Sequence, residues 1–154
     1  MDVSTMTAQT MGTKSEGFSA EERAAMQARA AELRAEGKNG AKKADGLQAL
    51  LDAIAKMTEE DRVVAERVHV AVTSVAPELS PKTWYGMPAY AKDDGKVLLS
   101  LKNSGKFGQR YSTLEFQDVA HLDEVDMWSV SFAIERWTAA VEKKVTELVS
   151  AAVS

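Results

Sequence analysis

Trp128-Ser129-Val130-Ser131-Phe132-Ala133-Ile134-Glu135 alternates large apolar residues with small or polar ones. Successive side chains of a strand point to opposite faces, so this period of two predicts a half-buried β-strand. It is the clearest strand signal in the chain and makes the C-terminal half a sheet. Working back from it, Val97, Leu99 and Leu101 show the same alternation. Asp93-Asp94-Gly95 and Asn103-Ser104-Gly105 have the composition of hairpin turns on either side of that strand. Arg110 shares strand parity with Ser112, Leu114 and Phe116, which predicts an inward guanidinium in need of a partner. Working forward, Thr138 can cap a last helix with Val141, Val145, Leu148, Val149 and Ala152 on one face.

The N-terminal half has a different period. Residues 1–17 are rich in Ser, Thr, Gly and Met with no pattern, and read as a disordered tail. Ser19-Ala20-Glu21-Glu22 is a capping box. The helix it opens runs to about Glu36, and its apolar stripe is mostly alanine with Met26 and Leu33. Alanine favours helix but buries little, so this helix is expected to be a weakly docked arm. Residues 37–43 read as a linker. Leu47, Leu50, Leu51 and Ile54 then fall at i, i+3, i+4 and i+7. Thr58-Glu59-Glu60-Asp61 can cap a further helix, with Val64, Val68, Ala71, Val72 and Val75 on its buried face. Pro77 and Pro81 end helical structure. The expected organisation is a tail over 1–17, a helical arm and linker over 18–44, and one domain over 45–154. Helices, then hairpin-linked strands, then a helix make that domain α+β. Its antiparallel sheet has about five strands, packed against helices from both ends of the domain.

Composition limits what the chain does. A net charge of −4 and a pI near 5.3 argue against a nucleic-acid partner, which needs a basic face on the whole domain. No cysteine is present, which removes disulfides, thiolate metal sites and Cys nucleophiles. No apolar run is long enough for a membrane span, and residues 1–13 lack the features of a signal peptide. The reading is a cytoplasmic protein of bacterial type.

Trp84-Tyr85-Gly86-Met87-Pro88-Ala89-Tyr90 crowds three aromatics and a methionine around a Gly-x-Pro break. Large apolar groups left in water cost free energy, so the segment must be buried or bind something. Gly86 can supply a positive φ, and the turn could aim Met87 and Tyr90 at a ligand. With Arg110, the residues Trp84, Tyr85, Met87 and Tyr90 form the candidate ligand pocket. The same turn would serve equally to close the sheet, with its aromatics filling the core. This run, the following Asp94-Gly95-Lys96 and the later Lys106-Phe107 to Phe116 resemble the YdhG-like domain family, over about residues 45–152. Those are small proteins of unknown function, some described as frataxin-like iron chaperones. The resemblance implies an α+β fold and iron as a cargo to test.

Asp118, His121, Asp123, Glu124 and Asp126 lie within nine residues. Oxygen donors with one imidazole suit hard or borderline cations such as iron, so these five are the candidate metal ligands. Their spacing matches no EF-hand and no His-Glu-x-x-His motif, and a solvated acidic loop would look the same. Glu59, Glu60, Asp61 and Glu66 make only a modest acidic ridge, short of what an iron chaperone is expected to present. Lys82, Lys92, Lys96, Lys102, Lys106 and Arg110 interleave with Trp84, Tyr85, Phe107 and Tyr111. They suit an anionic small molecule or a single nucleic-acid strand, or simply protect sheet edges. His69 reads as a packed imidazole rather than a base. No catalytic triad, phosphate loop or dinucleotide fingerprint is present. The functional expectation is a non-enzymatic domain whose partner is a small molecule or a metal ion, with neither nucleic acid nor membrane. The alternatives are a small-molecule enzyme using the aromatic pocket, or a protein-interaction module.

Overall fold

The computed structural model describes residues 17–154. The reading of 1–17 as a tail therefore falls, but for Gly17, outside the described residues. Three helices come first: α1 (Ala20–Ala35), α2 (Lys38–Ala55) and α3 (Glu59–Val75). Strands β1 (Ser80–Trp84), β2 (Met87–Ala91) and β3 (Val97–Lys102) follow. After a single helical turn, α4 (Ser104–Phe107), come β4 (Ser112–Phe116) and β5 (Ser131–Ile134). The C-terminal helix α5 (Ala139–Val153) closes the chain. All five strands pair antiparallel with their sequence neighbours, in the order β1-β2-β3-β4-β5. The fold is α+β, as the two periods predict.

Caps form where the sequence places them. Ser19 and Glu22 make the reciprocal capping box, and Thr58 and Thr138 accept from the amides of Asp61 and Val141. The register puts Tyr90, Leu99, Leu101, Leu114, Phe116, Phe132 and Ile134 on one face of the sheet. They pack with Leu50 and Ile54 of α2, Val64, Val68 and Val72 of α3, and Val145 and Val149 of α5. The last helix lies against α3. No helix of the described residues is long and apolar enough to cross a membrane.

The structure corrects five local readings. Residues 38–43 are the first turns of α2 and not a linker. Glycines at 37 and 40 look like breakers, but a Cβ on Gly40 would lie 1.9 Å from the Leu33 carbonyl oxygen. Gly40 lets the start of α2 cross the end of α1 backbone to backbone. The arm is also better anchored than its alanines suggest. Leu33 is only 3% exposed, Arg34 pairs with Asp45 at 3.0 Å, and Arg67 reaches both Glu22 at 2.8 Å and the Gly17 carbonyl at 3.1 Å. Asn103-Ser104-Gly105 is not a hairpin turn. The buried Asp61 carboxylate accepts from Ser104 Oγ at 2.6 Å, from the Gly105 amide at 2.8 Å and from Asn103 Nδ2 at 3.3 Å. These charge-assisted bonds fold the segment into a helical turn and lengthen the connection to β4. Arg110 consequently lies in that connection, exposed, with its guanidinium 5.2 Å from the Tyr111 ring. Finally, β5 begins at Ser131, because β4 ends at Phe116 and leaves nothing to pair with Trp128 and Ser129.

The β1–β2 hairpin turns on two residues, Tyr85 at φ 52° and Gly86 at φ 78°. Two positive φ values in a two-residue loop define a type I′ turn, whose twist matches that of the flanking strands. Gly86→Val is expected to cost about 2 kcal/mol, because a β-branched residue is strained at that φ. Its Cβ would also displace Lys106, whose Nζ would lie 2.4 Å away. Urea denaturation measures the cost, and an unchanged midpoint would contradict the turn assignment.

Candidate functional site

The aromatic segment does not converge on one pocket. Met87 and Tyr90 differ by an odd number of strand positions, so the pleat sends them to opposite faces. Tyr85 stands 79% exposed on the turn, with the Trp84 ring 5.1 Å away and its carbonyl held by Lys106 Nζ at 3.0 Å. Arg110 stacks on Tyr111 in a separate loop. Tyr90 alone of the five enters the core cluster.

The five candidate metal ligands, Asp118, His121, Asp123, Glu124 and Asp126, are all exposed. His121 Nδ1 is engaged by the Ser154 carbonyl oxygen at 2.6 Å. Among the described residues, no group of three or more His, Asp or Glu side chains is gathered closely enough to hold a metal ion. The helical acids have other tasks. Asp61 holds the 103–105 segment, and Glu66 pairs with Arg62 at 3.2 Å and accepts from the Phe18 amide at 3.1 Å. The basic set is also divided. Lys92 and Lys96 sit at the β2–β3 turn, and Lys102 and Lys106 at the opposite end of the sheet beside Phe107.

The structure assembles a different site, centred on Tyr90. Its hydroxyl lies 2.8 Å from His69 Nδ1, and the two rings stack with centroids 5.8 Å apart. His69 is 2% exposed. Burial pushes the Tyr90 hydroxyl well above its ordinary pKa, so it stays protonated. That hydroxyl has no other partner among the described residues, and a buried O–H must donate. It therefore donates to Nδ1, which assigns the proton of the neutral ring to Nε2. Burial lowers the His69 pKa to about 4, so the ring is neutral at physiological pH.

His69 lines a groove of about 520 Å³ between the arm and the body of the domain. One face of α1 supplies Glu22, Ala25, Met26, Arg29 and Leu33, which recur at helical spacing. Leu47 of α2, Val70, Thr73 and Ser74 of α3, Pro77 and Leu79 of the α3–β1 connection, and Pro81 of β1 form the other walls. The lining is mainly apolar, and its ends are charged. Arg67 binds Glu22 at one end, and Lys43 lies 3.9 Å from Asp93 at the other. Burial pushes the Glu22 carboxyl up. Hydrogen bonds from the Ser19 amide and Arg67, with the Arg67 charge, outweigh this and hold it below the ordinary range. The hydroxyls of Thr73 and Ser74 are spent on carbonyls of their own helix. Phe18 meets the His69 ring edge-on at 6.0 Å. His69 Nε2 has no hydrogen-bond partner among the described residues. Among those residues, Ser100 Oγ is the only side-chain polar atom both sealed from solvent and unpartnered. His69 itself lines the groove, and Nε2–H is the ring's uncommitted polar group among the described residues.

Sequence reasoning missed this site because its walls are distant in the chain. His69 and Tyr90 are 21 positions apart, and Arg67 and Glu22 are 45 apart. One usable signal was present. Met26 and Leu33 fall on the helical face of Glu22 and Arg29, a mixed face that alanine content masked. Comparison with family models, with curated proteins and with solved structures returns no match to this chain.

Proposed function

We propose that this chain is a non-catalytic binding protein for a small, neutral, mainly apolar molecule with one hydrogen-bond acceptor, held between α1 and the α3–β1 corner. The observation that carries this is His69, a buried neutral imidazole with Nδ1 committed to Tyr90 and an N–H left at the wall of an apolar groove. A carbonyl, ether or similar oxygen matches that donor. The neutral ring offers a carboxylate no compensating charge, whereas a neutral oxygen needs none. The same arrangement argues for binding ahead of catalysis. A general base works best with a pKa near the operating pH, and here Nε2 already carries a proton while the ring resists a second. The groove's volume is within the ordinary range for small-ligand sites, roughly 300–1,000 Å³.

The test uses 2-octanone and octane as probes, followed by amide NMR shifts. Saturable shifts over residues 22–33 and 69–81 are expected with both. The ketone is expected to bind about threefold to tenfold tighter, the value of one neutral hydrogen bond. His69→Phe should erase that preference while leaving octane binding. Ala25→Trp should fill the groove from its exposed rim and abolish both without unfolding the protein. Shifts elsewhere, or none, would sink the reading.

A further inference from the structure

We infer that residues 128–136 pair with the same segment of a second copy of this chain, joining two five-stranded sheets through β5. β5 is an edge strand bonded only to β4. The Phe116 amide donates to the Val130 carbonyl at 2.7 Å, in register with Leu114↔Phe132 and Ser112↔Ile134. Val130, Phe132 and Ile134 therefore spend their backbone groups on β4, while Ser131 and Ala133 direct theirs to the free edge. No backbone partner for Ser129, Ser131 or Ala133 on that side is present among the described residues. A bare edge is a template for another strand.

The flank of this edge is unusually apolar. Val125 is 93% exposed and Met127 85%, with Trp128 and Val130 also exposed. The strand alternation continues through Trp128, beyond the point where β4 can pair with it. Exposed large apolar groups gathered in one short stretch of chain mark an interaction surface.

The segment's charges select a second copy as the partner. Asp123, Glu124 and Asp126 precede the strand; Arg136 follows it at the parity of Phe132, with Lys144 near that ring, while Glu135 takes the other parity. Antiparallel pairing about a two-fold axis brings the acidic lead-in of one copy toward Arg136 of the other. Centred on Phe132, it places Val130 opposite Ile134 of the second copy, and Trp128 opposite Arg136, an aromatic–guanidinium pair. The same alignment pairs Ser131 with Ala133, so the outward backbone groups meet each other. The Lys144 ammonium, already 5.9 Å from the Phe132 ring, lies beside the axis.

The test is light scattering on the full chain across a dilution series. The mass is expected to rise from 16.7 kDa toward twice that value with concentration, and to fall back on adding salt. Ala133→Pro removes an edge N–H that β4 does not use, and proline is tolerated on edge strands. That variant should stay folded by circular dichroism and remain a monomer. Arg136→Glu changes an exposed side chain that makes no hydrogen bond or ion pair among the described residues, and should weaken association about tenfold. Wild type that stays monomeric throughout, a folded Ala133→Pro that still dimerises, or an Arg136→Glu that associates normally would overturn the proposal.

Discussion

Gly46→Ala is expected to destabilise the protein by about 2–3 kcal/mol, the cost of forcing a methyl group into a packed contact. The sign is the informative part. In a free helix the same change gains about 1 kcal/mol, because glycine loses more backbone entropy than alanine. Gly46 lies within α2 where the helix crosses β1. An added Cβ would sit 2.4 Å from the Pro81 carbonyl oxygen, 3.6 Å from its carbon and 3.8 Å from Lys82 Cα. These are backbone atoms of a paired strand, so no side chain can swing aside. The helix must retreat, which loosens the contacts of Leu50 and Ile54 with Tyr90 and the rest of the core. Urea denaturation gives the stability change. A stabilised Gly46→Ala would show that α2 and β1 are not in close contact.

Acidification between pH 6.5 and pH 4 is expected to cost the folded state stability through His69. Burial lowers its folded pKa from 6.5 to about 4. The unfolded chain thus takes up a proton in that window that the native state refuses. Stability rises with pH wherever the unfolded state binds more protons, so it falls as the pH drops through the window. The loss reaches about 2–3 kcal/mol by pH 4.5 and changes little above pH 7. The ring contacts uncharged Phe18 and Tyr90, and the charged groups facing it across the groove are Glu22, Arg29, Lys43, Glu78 and Asp93. Glu22 is already neutralised by Arg67. His69→Gln cannot titrate, so the difference between wild type and variant, at pH 7 and again at pH 4.5, isolates this histidine from the carboxylates. Parallel losses in both proteins would contradict a neutral, buried ring.

Much of the fold was legible because its signals are local. Ser19, Thr58 and Thr138 cap helices through amides three residues away. The alternations at Val97, Leu99 and Leu101, and at Phe132 and Ile134, name strands, since a pleat has a period of two wherever it occurs. The positive φ of Gly86 followed from its place in a tight turn. Each of these depends on a few neighbouring residues and so survives in the linear text.

The site was not legible, because it depends on which distant faces meet. Residues 37–43 carry loop-like glycines, yet Gly40 is helical because a carbonyl seven positions earlier needs the space. Asn103-Ser104-Gly105 has turn composition, yet Asp61, more than 40 positions away, decides its shape. The five acidic-loop residues are close in sequence but stay in solvent, because neighbours along an exposed loop have nothing to turn them inward. His69 and Tyr90 give no local sign of each other. Only packing α3 onto the sheet brings imidazole and phenol to 2.8 Å, and only docking α1 makes a groove beside them. Sequence by itself determined the helix caps, the strand alternations and the tight turn at Gly86, since these are set by forces acting over a few residues. Tertiary structure decided the groove and the protonation of its histidine, because desolvation and shape exist only once remote surfaces have closed on one another.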